Sequence, residues 1–252
     1  MRTQGQRIIG VAPSHEAMAP PPQPNLLGPL MALTVTTGVI DAVSFVGLGQ
    51  VFTANMTGNV VFIGFALAGA EGMSVERSLV ALSAFAAGAL AGGRLSNRSA
   101  GPPARLFVTA AAAEAAILAV AAGVGFGREI PTSWYPAHWL IVLTAVAMGM
   151  RTAVVRKLGV PDITTTVLTL TVAGLAADSP AAGGTGTRSG RKVGSILAMF
   201  IVALAGTLML RTWGLAVPLA AAAGVAAVVS VTVAWQLRSS GAGAAVSGET
   251  HG

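Results

Sequence analysis

Several runs of this sequence hold about 20 consecutive, mostly apolar residues, the length a helix needs to cross the hydrocarbon core of a bilayer. Eight apolar segments can be counted, at roughly 27–49, 51–70, 77–93, 104–126, 137–155, 163–177, 192–211 and 214–237. Only 10% of the 252 residues are charged and 54% are hydrophobic, with a mean hydropathy of +0.74. A soluble domain carries about 25% charged residues, so this chain could not cover a water-facing surface. The expected fold class is an all-α integral membrane protein.

The same composition excludes several chemistries. Cysteine is absent, which removes disulfides, thiolate metal sites and thiol nucleophiles. His15, His138 and His251 lie far apart, so no metal or other cofactor is expected. No Ser-His-Asp set or HExxH motif is present, and the reading is non-enzymatic. The loop from Gly183 to Lys192 is glycine-rich but lacks the GxxxxGK[ST] spacing of a phosphate loop. The net charge of +6 is scattered among loops between apolar segments, a topology signal rather than a nucleic-acid surface. Thirteen of the fifteen basic residues are arginine. With abundant alanine and glycine, this composition suits a bacterial gene.

Residues 1–26 are polar and end in Ala19-Pro20-Pro21-Pro22-Gln23-Pro24. No apolar stretch follows Arg2 closely, so they read as a disordered cytoplasmic tail rather than a cleavable signal. Residues 238–252 read as a second disordered tail. Between the tails lies a single transmembrane domain, 27–237, with halves 27–126 and 137–237. Its segments are rich in small residues, which favour close helix contacts; Gly88 and Gly92 form a GxxxG spacing. Such small-residue faces also make an oligomer plausible. Trp134, Tyr135, Trp139 and Trp213 sit near segment ends, where an aromatic belt is expected.

Two segments look unlike full spans. The stretch 163–177 is short and carries Thr164, Thr165, Thr166, Thr169 and Thr171; 51–70 carries Asn55, Thr57, Gly58 and Asn59. If all eight segments cross, seven basic residues fall on one side and eight on the other, with no bias. If these two enter and return on one side, twelve basic residues share a face with both termini, against Arg77, Arg128 and Arg211 opposite. Positive charge gathers on the cytoplasmic side. The arithmetic therefore favours six spans plus two short re-entrant or partial helices, over the alternative of eight full spans. Both termini are then expected in the cytoplasm of a bacterial cell, with the domain in the inner membrane.

An internal repeat is visible. Gly38-Val39-Ile40-Asp41-Ala42-Val43 leads to Leu48-Gly49 and Asn55-Met56-Thr57-Gly58. Gly149-Met150-Arg151-Thr152-Ala153-Val154 leads to Leu158-Gly159 and Thr165-Thr166-Val167-Leu168-Thr169. With six crossings the halves are oppositely oriented, a recurrent transporter design.

Charged residues within apolar segments cost about 2.5–3.5 kcal/mol each at a helix centre and need partners or a function. Asp41, Glu114 and Arg151 are such residues. For Asp41 two readings stand: a site for a proton, ion or polar solute, or a structural hydrogen bond to Asn55 or Thr57. Glu114 and Arg151 are a candidate intramembrane ion pair. The candidate pathway for a substrate or ion comprises Asp41, Asn55, Thr57, Gly58 and Asn59 from the first half, faced by Thr165, Thr166 and Thr169 from the second.

The stretch Gly38-Val39-Ile40-Asp41-Ala42, with Phe52-Thr53-Ala54-Asn55-Met56-Thr57-Gly58-Asn59, resembles the bacterial YoaK family, also catalogued as domain of unknown function 1275. The run Gly149-Met150-Arg151-Thr152-Ala153, with Val160-Pro161-Asp162-Ile163-Thr164-Thr165-Thr166, is similar to that family's later motif. The resemblance covers most of residues 27–237 and implies a multi-pass inner-membrane protein without an established activity. Where the family commonly has Gln-Asn, this chain has Arg151-Thr152, so no shared polar role carries over there. The expected function is transport or channel-like passage of a small solute or ion, in contact with the lipid bilayer and with no nucleic acid. The alternative is a structural or accessory membrane protein without transport.

Overall fold

The computed structural model describes residues 26–127, 134–159, 172–183 and 189–249. Among the described residues, six helices are long and apolar enough to cross a membrane. They are α1 (Leu27–Gly47), α3 (Val75–Arg98), α4 (Pro103–Gly125), α5 (Trp134–Lys157), α6 (Ser189–Trp213) and α7 (Ala216–Glu249). A shorter apolar helix, α2 (Met56–Leu67), lies between α1 and α3. The described residues hold no strand.

The contacts set the direction of each helix. Gly88 and Gly92 of α3 lie on Val146 and Met150 of α5, so those helices run parallel. Gly38 and Gly47 of α1 lie on Val202 and Leu210 of α6, another parallel pair. Helices α4 and α7 are antiparallel: Ser230 Oγ donates to the Val108 carbonyl at 3.0 Å, while Gly125 abuts Leu215. Arg151 of α5 reaches Leu33 of α1, whereas Leu140 clusters with Val43, so α1 and α5 oppose each other. Thus α1, α4 and α6 run one way and α3, α5 and α7 the other.

This arrangement carries an approximate two-fold relation between halves. The α3–α5 packing has its counterpart in α1–α6, α4–α5 has its counterpart in α1–α7, and α4–α7 lies on the axis. Three crossings precede the second half, so it is inverted relative to the first.

Helix α2 does not cross. Its 12 residues span about 18 Å at 1.5 Å per residue, well short of the ~30 Å core. The chain leaves α1 through Gly49 (φ 94°) and Gln50 (φ 57°), left-handed conformations that turn it sharply. The stretch 51–55 then runs back to the depth of Asp41 before α2 starts. The return is equally clear: a methyl on Gly72 would sit 2.8 Å from the Gln50 side-chain amide, and the Arg77 side chain covers Gly49. The excursion therefore begins and ends on one face. Cysteines introduced at Gln50 and Glu71 should both react with a membrane-impermeant maleimide from the same side; labelling from opposite sides would overturn this topology.

Two boundaries differ from expectation. The segment read as 51–70 is an extended strap followed by a helix half its length, because the polar groups of Asp41 and Asn59 hold the strap's backbone. Residues 238–252 were expected to be a disordered tail, but α7 continues to Glu249. Adding a residue to an existing helix is far easier than nucleating one, and Ala242, Ala244 and Ala245 favour extension. Residues 160–171 lie outside the described residues; 172–177 are helical. From the helix directions above, α5 ends and α6 begins on the same face.

Lipid-facing positions are apolar. On α6, Leu197, Phe200, Ile201, Leu204 and Leu208 are exposed, as are Trp139 and Trp213 near the ends of their helices and Trp235 within α7. The GxxxG face of α3 is buried against α5, so any oligomer has to use another surface.

Candidate functional site

The interior of a bundle built from Ala, Leu and Val offers nothing to a charge, so its buried polar groups must find one another. Helix α5 carries Arg151 two residues after Gly149, and the close α3–α5 contact at Gly149 sets where that side chain emerges. Arg151 Nη1 donates to the Leu33 carbonyl at 2.7 Å, to Thr36 Oγ1 at 2.8 Å and to Glu114 Oε1 at 2.8 Å. Its Nη2 donates to the Thr37 hydroxyl and touches Met148 Sδ at 3.2 Å. The guanidinium thus ties α1, α4 and α5 together. Glu114 is wholly buried and Arg151 is 9% exposed.

Thr36 donates its own hydroxyl proton to the Leu33 carbonyl at 2.7 Å and lies 3.4 Å from Glu114 Oε1. All of this engages one carboxylate oxygen. The other, Glu114 Oε2, is buried with no hydrogen-bond partner. An orphaned charged oxygen in a low-dielectric interior is among the most costly arrangements a fold can hold.

One turn further along α1, Asp41 faces the re-entrant strap. Its Oδ1 accepts from the backbone N–H groups of Thr53 at 3.2 Å and Ala54 at 2.9 Å. A structural hydrogen bond is one of the two readings for Asp41, and these strap amides supply it. The strap is neither helix nor sheet, so its amides lack internal partners and a buried carboxylate satisfies them. Asp41 is 5% exposed. Beside it, the Thr53 hydroxyl is buried without a partner.

The remaining motif residues hold the strap's shape. Asn59 is fully buried: Oδ1 accepts from Phe52 N at 2.9 Å, while Nδ2 donates to Phe52 O at 2.6 Å. One side chain thereby replaces the strand partner that Phe52 lacks. Gly58 lies under the Phe52 ring, where an added methyl would sit 2.7 Å from Cδ2. That ring stacks on Phe45 and Phe62, with centroids 5.1 and 5.4 Å apart. Thr57 is exposed, and Asn55 is half-buried at the start of α2. Asn59→Ala should strand both Phe52 backbone groups at a cost of about 1–3 kcal/mol each. The check is a lower melting temperature in detergent, together with faster hydrogen exchange confined to 50–60; unchanged exchange there would contradict the clamp.

The structure therefore joins Asp41 to Asn59 through the strap, and Glu114 to Arg151 directly. It does not bring Thr57 to the buried centre. Thr165, Thr166 and Thr169 lie outside the described residues. Thr36 and Thr37 are central, yet the sequence reading passed over them. Their signal was present: Thr37 stands four residues before Asp41, on the same helical face. Among the described residues, no group of three or more His, Asp or Glu could hold a metal ion.

Residues 29–232 match the model of a family described as a protein of unknown function, DUF1275. The chain belongs to the DUF1275 family. It is 39% identical over 150 residues to the UPF0700 transmembrane protein YoaK of Bacillus subtilis (strain 168), an alignment covering 59% of this chain. The chain spans 65% of that relative's length. No solved structure matches. The DUF1275 match reaches from the start of α1 to within α7, so strap, ion pair and both halves fall inside it.

Proposed function

We propose that this protein carries a small solute or ion across a bacterial inner membrane, with both termini in the cytoplasm, and without catalysing a chemical reaction. The observation that carries the reading is the buried charged centre formed by Asp41, Glu114 and Arg151 between two inverted halves. Charges inside a lipid-embedded bundle mark ion or substrate pathways, because nothing else offsets their cost so directly. Inverted halves supply the second requirement. A packing that opens the centre to one face has a counterpart of similar energy opening it to the other.

The orientation rests on arginine and lysine. The face holding both ends of the bundle carries Arg94, Arg98, Arg105, Arg156 and Lys157, whereas Arg77 and Arg211 lie at the opposite ends of their helices. Purified protein in liposomes should show flux for at least one member of a broad panel of small ions and polar solutes. Asp41→Asn should reduce that flux at least tenfold, because a neutral amide holds the strap amides more weakly than a carboxylate. A panel with no wild-type flux would sink the proposal.

A structural role is the second reading, and one observation favours it: Arg151 and Asp41 both fasten elements together. It predicts that Asp41→Asn lowers the melting temperature while wild-type protein moves nothing.

A further inference from the structure

Three charged side chains are buried among the described residues: Asp41, Glu114 and Arg151. Two carboxylates and one guanidinium leave the centre one positive charge short. We infer that Glu114 is the binding site of one exchangeable proton, the coupling ion of the proposed transport cycle. This inference rests on the transporter reading for its role in a cycle, although the proton site itself is testable alone.

The geometry restricts the ligand. A metal cation needs several oxygen donors around it. Here the available oxygens, the Leu33 carbonyl and the Thr36 and Thr37 hydroxyls, are already held by Arg151. A proton needs one oxygen, and Glu114 Oε2 is wholly buried and unpartnered.

The groups facing Glu114 are few. Helix α5 presents Arg151, and α1 presents Thr36 with Asp41 one turn beyond Thr37. Helix α7 packs on α4 with Ala222, Ala223, Ala226, Val229 and Ser230, none charged. The charges of α3, at Glu76, Arg77, Arg94 and Arg98, all sit near that helix's ends.

The step balances simply. A hydronium ion gives its proton to Glu114 Oε2 and leaves as water, so the carboxylate becomes a neutral acid. The guanidinium keeps its charge, loses its ionic partner and turns to Asp41, the remaining carboxylate, about one helical turn away along α1. The buried charge passes from one negative to zero. Transfer of Arg151 from Glu114 to Asp41 would loosen the α4–α5 tie and load the α1–strap contact, which links protonation to movement between the halves.

Infrared difference spectra of purified protein, recorded as pH is lowered, read the protonated-carboxyl stretch without any transport. Apart from the bands of its hydrated carboxyls, wild type should gain one band at the high frequency of a carboxyl without a hydrogen-bond partner. It should vanish in Glu114→Gln and persist in Asp41→Asn. Arg151→Met should show the band across the whole pH range, because Glu114 then has no cation. If Glu114→Gln fails to fold, a band that persists in the double variant Asp41→Asn with Arg151→Met makes the assignment to Glu114. No band in wild type, a band lost only in Asp41→Asn, or no band at neutral pH in Arg151→Met would each overturn the inference. A Glu114 band in a protein that moves no solute would keep the proton site and sink the transporter; flux without a Glu114 band would do the reverse.

Discussion

Gly88→Ala and Gly149→Ala should each destabilise the protein severely, while Gly93→Ala on the same α3 helix should leave it unchanged or slightly more stable. A methyl on Gly149 would lie 2.1 Å from the Phe85 carbonyl oxygen, and one on Gly88 would lie 2.2 Å from that of Val146. Both obstacles are backbone, which cannot rotate aside as a side chain can. The helices would have to separate along the tightest contact in the bundle. Overpacking a core costs about 1–3 kcal/mol, and more where nothing can yield, so ~3 kcal/mol or above is expected here. At Gly93 an added methyl meets nothing within 4 Å, leaving only the helix preference for alanine, worth about 1 kcal/mol. Thermal unfolding in detergent separates the three variants. A Gly149→Ala protein melting with wild type would show that α3 and α5 are not this close.

The second large effect concerns the ion pair. Glu114→Gln and Arg151→Met should each cost about 3–5 kcal/mol, since each leaves the other charge buried without its partner. The double variant should recover much of that loss, because a neutral amide beside a thioether strands no charge. A double-mutant cycle on melting temperatures therefore returns a large coupling between the two positions, with Gly93→Ala as an uncoupled reference. Additive losses would mean that the 2.8 Å contact contributes little. Where Glu114 takes up a proton once its cation is gone, Arg151→Met should be the milder single variant at every pH, a difference visible in the same measurements.

The apolar runs announced the six spans because hydrocarbon demands about 20 apolar residues per helix, a requirement written directly into sequence. Arginine placement separated α2 from those spans for a similar reason, since charge has to stay in loops. The likeness between the stretches at Gly38 and Gly149 pointed to the inverted halves, and those two glycines prove to be close-packing points in corresponding helix pairs. The site was less legible. Asp41 was conspicuous, but its partners are backbone amides, which every residue has and no sequence motif displays. Thr36 and Thr37 looked like ordinary helix threonines, a residue type that usually bonds back to its own helix. Their role follows only once α5 delivers a guanidinium to the same spot. Asn59 read as a pathway residue because a buried amide can hold a solute as readily as a peptide group. Only the fold shows that Phe52 occupies it.

The odd number of crossings in each half has a consequence for how such a chain can change over generations. Because three spans precede the second half, that half is built upside down. Gain or loss of one span between α4 and α5 would turn α5, α6 and α7 over as a block. Each helix would survive with its sequence intact, but Arg151 would arrive from the wrong face and could no longer meet Glu114. Between those two helices, spans can therefore be added or lost only in pairs, unless the centre is given up with them.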